Sequence, residues 1–218
     1  MKYMKLTTGI QAIFIFACTV ILMNACAPQP TTGVAGIFEG TSNVGGVKLI
    51  GNMVYDASTE TYTLSGGGMN VWDNFDQLFY AWKKVKGDFS MTAKVAFEGA
   101  GVNDHRKTGI MIRETLDGES RCAHISIHGD GLTSLQYRME TDGMTEETVA
   151  PPNANYITLE KVGNKIRVKT AASVLPQDVT AEIEMDFPGT CYVGLYVCSH
   201  DVDVLETVYF TQVEFKKL

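Results

Sequence analysis

Hydrophobic and polar residues alternate with period two along much of this chain, most informatively from Lys107 to Arg138, KTGIMIRETLDGESRCAHISIHGDGLTSLQYR. Ile110 and Ile112, then Ala123, Ile125 and Ile127, then Leu135, Tyr137 and Met139 hold one parity. Arg113, then His124, Ser126 and His128, then Ser134, Gln136 and Arg138 hold the other. Successive side chains on a strand point to opposite faces, so the pattern predicts three consecutive strands with one apolar face and one polar face. A solvated sheet face usually carries Lys, Glu and Thr. A face of Arg, His and Gln reads instead as the lining of a groove.

Parity also sets the turn between the second and third of these strands. A two-residue Asp130-Gly131 hairpin would place Ile127 opposite Ser134, an apolar residue against a polar one all along the ladder. Cross-strand neighbours share a face, so the loop has an odd length. A three-residue loop, Gly129-Asp130-Gly131 with Gly131 in the left-handed conformation, satisfies this, as would a five-residue loop.

The same reading predicts a hairpin from Asn52–Ala57 and Thr61–Ser65, followed by Gly66-Gly67-Gly68, which permits a sharp bend or a close backbone approach. Strands are expected at Leu78–Val85 and Phe89–Phe97. Gly99–Lys107 reads as a polar loop, and Glu140–Asn155 as a long acidic connection. A second hairpin joins Tyr156–Lys161 to Lys165–Ala171, and Thr180–Phe187, Tyr192–His200 and Thr207–Phe215 are the closing strands. No amphipathic helix is expected in this region. So many short strands at turn-marked intervals predict an all-β, two-sheet antiparallel jelly-roll sandwich.

The N-terminus follows other rules. Lys2 and Lys5 precede an apolar run from Ile10 to Met23, a charged start and a short hydrophobic segment typical of a secretory signal. Met23-Asn24-Ala25-Cys26 resembles a bacterial lipobox, which implies that residues 1–25 are a lipoprotein signal peptide and that Cys26 is lipidated. Residues 26–45, rich in Ala, Pro, Thr, Gly and Ser, read as a flexible tether, and residues 46–218 as the folded domain. Cys122, Cys191 and Cys198 then remain in an oxidising compartment, where three thiols allow at most one disulfide. Cys191 and Cys198 have opposite parity on one strand and cannot bridge within it. The net charge of −7 over 218 residues, with no basic stripe, argues against a nucleic-acid partner.

The runs YDASTETYTLSGGGMNVW, FYAWKKVKGDFSMTAKV, HRKTGIMIR, HGDGLTSLQYR and YVGLYVCSHDVDVLETVYFTQVEF resemble secreted bacterial domains with the concanavalin A-like (laminin G-like) jelly roll. They are similar to the "regulation of enolase" type domains, which mostly lack an assigned function. The resemblance implies that ligands, frequently sugars, occupy the concave sheet or its loop rim.

The predicted ligand-binding residues are therefore Arg113, His128, Gln136 and Arg138, with Trp72 and Tyr196 as stacking platforms and His105-Arg106-Lys107 as a basic rim. Arg and Gln bind hydroxyls or carboxylates in bidentate fashion, and aromatic faces cover the apolar side of a sugar ring. The competing expectation is that these polar groups bond to one another and merely hold the sheet together.

Catalytic alternatives are weaker. A glycosidase needs two carboxylates across a groove; Glu182, Glu184 and Asp186 are the best sequence candidates, but a solvated strand face accounts for them more simply. Cys198 and His200 could meet as a nucleophile and base if parity held through the strand end. The loop acids Asp73, Asp76, Asp104 and Asp130 could hold Ca²⁺, as some members of the fold do, but they form no Asp-x-Asp-x-Asp ladder, so no cofactor is expected. The expected function is non-catalytic binding of a glycan by a domain tethered to the bacterial envelope through Cys26, on its periplasmic or outer surface. A carbohydrate-active hydrolase and an envelope protein-interaction module are the alternatives.

Overall fold

The computed structural model describes residues 36–218. The predicted signal peptide and Cys26 lie outside the described residues. The strands are β1 (Gly40–Val44), β2 (Asn52–Asp56), β3 (Thr61–Gly68), β4 (Val71–Trp72), β5 (Phe75–Asp76), β6 (Leu78–Val85), β7 (Phe89–Phe97), β8 (Lys107–Arg113), β9 (Cys122–His128), β10 (Thr133–Arg138), β11 (Glu146–Val149), β12 (Tyr156–Val162), β13 (Lys165–Ala171), β14 (Ala181–Glu184), β15 (Cys191–Cys198) and β16 (Asp201–Lys217).

They build two seven-stranded antiparallel sheets. The first runs β1-β6-β15-β8-β9-β10-β11 and the second β14-β13-β12-β7-β16-β3-β2, with β4–β5 as a separate small hairpin. Neighbours distant in sequence, such as β15 between β6 and β8, make this a jelly-roll sandwich. The core lies between the sheets: Phe79, Ile110, Ile112, Ile125, Leu135 and Leu195 of the first meet Leu64, Met91, Ile157, Leu159, Val208 and Phe210 of the second.

The parity argument holds in the central strands. Ser126 lies opposite Ser134 and His124 opposite Gln136, so the loop is Gly129-Asp130-Gly131. Gly131 has φ +91°, its N–H donates to the His128 carbonyl (3.1 Å), and the Leu132 N–H donates to Asp130 Oδ1 (2.9 Å). Met139 departs from the pattern. It is 42% exposed, because β10 ends at Arg138. The triple glycine makes the close approach expected of it: a Cβ on Gly68 (φ +133°) would lie 2.2 Å from the Gln77 carbonyl oxygen.

Residues 36–45, expected to belong to the tether, are part of the sandwich. Phe38 is buried in the core and β1 pairs with β6 at the sheet edge. Small residues there reflect crowding rather than looseness, since a Cβ on Gly40 would come 2.5 Å from the Trp82 ring. The long acidic connection contains β11, which pairs with β10. An exposed edge strand of sequence EETV carries little of the alternation by which strands are recognised. Cys122, Cys191 and Cys198 are buried, unbridged thiols. Cys191 joins the main core and Cys198 the opposite face of its sheet.

Candidate functional site

The outer face of the first sheet is not bare. Leu78, Tyr80, Trp82, Met111, Tyr196 and Cys198 project from it and form a second apolar cluster with Val44 and Val71. Val71 belongs to a strap, residues 69–77, that folds back over this face as the β4–β5 hairpin. Asp73 turns the strap with φ +49°. The Asp76 N–H donates to the Gly118 carbonyl (2.9 Å) and the Thr145 N–H to that of Asp73 (2.8 Å), so loops from both sides hold the strap down.

One end of the face is closed by charge. Asp76, 1% exposed, receives Arg113 Nη1 (3.2 Å) and Arg138 Nη1 (3.0 Å) on Oδ2, and Arg138 Nη2 (2.8 Å) on Oδ1. Arg113 also donates to the carbonyls of Thr115 and Asp117. Arg138 reaches those of Gly118, Ser120, Trp72 and Asp73. Both arginines have 0% exposure. They are in the predicted place on the sheet, yet they tie strap to loop beneath the surface instead of facing a groove. Tyr196 is likewise no stacking platform. It is fully buried, with its hydroxyl 3.0 Å from His124 Nδ1 and donating to the Ile125 carbonyl (3.3 Å).

The other end is open. A cavity of about 290 Å³ is lined by Asn70, Trp72, His105, Lys107, His128, Leu132, Gln136, Glu147 and His200. Strand register brings the wall together: Lys107 faces His128 across β8–β9, and Gln136 faces Glu147 across β10–β11. Three of the predicted ligand residues, Trp72, His128 and Gln136, thus meet here, as do His105 and Lys107 of the predicted rim. Arg106 does not. Its guanidinium is buried against Glu206 (2.6 Å) and over the Phe97 ring.

Partnerless buried polar atoms among the described residues are more numerous towards this end than in the Asp76 network, where Arg138 Nε is the one. Among the described residues, six buried side-chain polar atoms lack a hydrogen-bond partner, and His128 Nδ1, Ser134 Oγ and Gln136 Oε1 are three of them. All three lie on this face within two strands, and His128 and Gln136 line the cavity itself. Gln136 uses its amide nitrogen on Glu147 (2.9 Å), and His128 Nε2 lies 3.4 Å from Ser126 Oγ. Burial, and after it the charge of Lys107, pushes the His128 pKa down to about 4, so the ring is neutral at pH 7. His105 stands edge-on to His128 (5.9 Å between ring centres) and 5.7 Å from His200. A second cavity, of about 450 Å³ and lined by Met69, Phe75 and Val202 among others, shares Asn70 and Trp72 with the first. Trp72 therefore borders both.

The other candidates fall elsewhere. Glu182 lies on the edge strand of the second sheet, ion-paired to Lys165 and Arg167 in solvent, and Glu184 is exposed. Cys198 ends β15, and His200 then adopts φ +58°, so parity does not carry through. Burial pushes the Cys198 thiol up to about 12, and it donates to the Gly68 carbonyl (3.4 Å). Asp76, a candidate calcium ligand, is engaged by the two arginines. In the sequence, His200 stood out only as a partner for Cys198, and Glu147 was not singled out. His200 reaches the cavity through the reversal after β15, and Glu147 through the solvated edge strand β11.

No family model and no curated protein matches the chain. Among solved structures, it is similar to a functionally unknown protein from Saccharomyces cerevisiae, with TM-score 0.59 and 16% identity over 77% of this chain and 92% of that one. It is also similar to a GH43 protein, BlXynB, from Bacillus licheniformis (TM-score 0.54, 11% identity), over 77% of this chain but 37% of that one. A family 7 alginate lyase, A1-II', crystallised with product, matches with TM-score 0.50 and 8% identity over 75% and 82% of the two chains. Identities this low speak to architecture alone: the chain is an all-β jelly-roll sandwich, similar in fold to these proteins.

Proposed function

We propose that this chain is a bacterial envelope lipoprotein, anchored through Cys26, whose jelly-roll domain binds a glycan in the cavity bounded by Trp72, Lys107, His128 and Gln136 without transforming it. The observation that carries the reading is the convergence of partnerless polar atoms on that cavity. A buried acceptor or donor without a partner costs about 1–3 kcal/mol, a cost that a polar ligand in the cavity removes by supplying the partners. Hydroxyl groups both donate and accept, so a sugar matches Gln136 Oε1 and His128 Nδ1 at once. Trp72, part-exposed between the two cavities, offers its ring to the apolar face of a pyranose, and the adjoining cavity suits a chain longer than one sugar. Carbohydrate-active proteins such as the GH43 protein and the alginate lyase share this architecture, which supports the ligand class.

A hydrolytic role would need a second carboxylate across the cavity; Glu147 is the one carboxylate among the described lining residues. The test is binding of the full chain in detergent to a panel of polysaccharides and peptidoglycan fragments, with product release assayed in the same wells. Binding without turnover, weakened at least tenfold in Trp72→Ala, is the expected result. Turnover would redirect attention to Glu147. Silence across the panel would overturn the glycan reading in favour of a protein partner.

A further inference from the structure

The buried charge on this sheet face does not balance. Lys107, Arg113 and Arg138 are buried there, with exposures of 4%, 0% and 0%, and Asp76 is the one buried carboxylate beside them. Asp76 answers both arginines directly. Lys107 is left without an ion pair among the described residues. Its Nζ donates to two neutral oxygens, Asn70 Oδ1 (2.9 Å) and the Val71 carbonyl (3.0 Å), and lies over the Trp72 ring (5.3 Å). An ammonium has three donors, so one remains. Glu147 also lines the cavity, but it is exposed, within water's screening, and its carboxylate takes the Gln136 amide. A buried cation without an anion is costly, and this one is kept in a chain whose net charge is −7.

Building on the glycan reading above, we infer that the ligand is an acidic glycan, one whose sugar units carry carboxylates, and that Lys107 receives the carboxylate while Gln136 and His128 take its hydroxyls. A neutral sugar leaves the ammonium unanswered. A fully ionised inorganic anion such as sulfate answers Lys107 but brings no donor for Gln136 Oε1. A uronic-acid unit supplies both sets of groups. Burial lowers the Lys107 pKa, as expected of an ammonium that awaits its counter-charge.

The experiment compares one oligouronate with the same oligosaccharide after reduction of its carboxyl groups to hydroxymethyl, by calorimetry on the full chain in detergent. A charge-assisted hydrogen bond from a desolvated donor corresponds to roughly a tenfold to hundredfold preference for the acidic form. That preference should shrink as salt is raised and vanish in Lys107→Met, which retains weak, equal binding of both forms. Lys107→Arg, which keeps the charge, should retain part of it. Equal affinity of the native chain for both forms overturns the acidic assignment while leaving glycan binding intact. Sodium sulfate binding as tightly as the oligouronate reduces the site to a bare anion site and overturns it too. Failure of both oligosaccharides, with carbohydrates of other classes also silent, overturns the glycan reading itself. Should Lys107→Met lose its native thermal transition, Lys107→Arg and the salt series decide the matter in its place.

Discussion

The two ends of one sheet face are built from similar residues and behave oppositely. At the closed end, Arg113 and Arg138 surround Asp76, and most of their donors reach a carboxylate or a backbone carbonyl within about 3.4 Å. At the open end, Lys107, His128 and Gln136 are nearly as well buried, but their bonding is incomplete. The closed end fixes the strap, and the strap carries Trp72 to the edge of the open one. Polar residues inside a protein thus serve stability where they are satisfied, and mark a candidate recognition site where they are not.

The largest expected effect comes from removing the shared carboxylate. Asp76→Ala leaves two buried guanidiniums uncompensated, a loss of about 3–5 kcal/mol, which for a domain of this size lowers the melting temperature by roughly 6–20 °C. Thermal denaturation followed by circular dichroism measures it; an unchanged transition would show that the network is ornamental. Arg138→Ala should behave in the same way, losing ligand through displacement of the strap and Trp72 rather than through a lost contact.

Gln136→Leu should break the comparison in the other direction. It removes a buried acceptor that has no donor, so stability is expected to hold or rise slightly. Glycan binding should fall at least tenfold. A large destabilisation instead would place Gln136 with the structural network.

A smaller effect comes from pH. The folded His128 titrates near 4 rather than at its ordinary 6.5, and His124 and His200 are also lowered, chiefly by burial. Below pH 6.5 the unfolded chain binds protons that the folded one refuses. Stability therefore falls as pH drops from about 6.5 towards 4. Urea denaturation at pH 7, 6 and 5 should show this, and His128→Asn should flatten the slope.

The smallest effect concerns the thiols. Burial holds Cys122 and Cys198 at about 12 and Cys191 at about 11. A maleimide should leave all three unlabelled in the native protein and modify them after denaturation, as located by peptide mapping. Native labelling would mean that one of these strands opens.

Much of the sandwich was legible because its rules are local. The bounds of β6 and β7, the faces of β8 to β10 and the odd loop at Gly129-Asp130-Gly131 follow from alternation and cross-strand parity, which need no knowledge of the rest of the chain. Three stretches were less legible for a physical reason each. β1 is small and polar because it packs edge-on under Trp82. β11 is a solvated edge strand. The long β16 passes through irregularities at Asp201–Glu206 and Thr211–Glu214, which reset its parity.

The candidate site divides along the same line. The sequence by itself determined that Arg113, His128, Gln136 and Arg138 share a polar sheet face, because side-chain direction on a strand is a matter of counting. Only the tertiary structure decided which of them are available. The strap, with no alternation to announce it, lays Asp76 over the two arginines and stops short of His128 and Gln136. Distances of 3 Å between residues more than sixty positions apart, such as Asp76 and Arg138, decide between a bond within the protein and one left for a ligand. Those distances depend on how the whole chain closes.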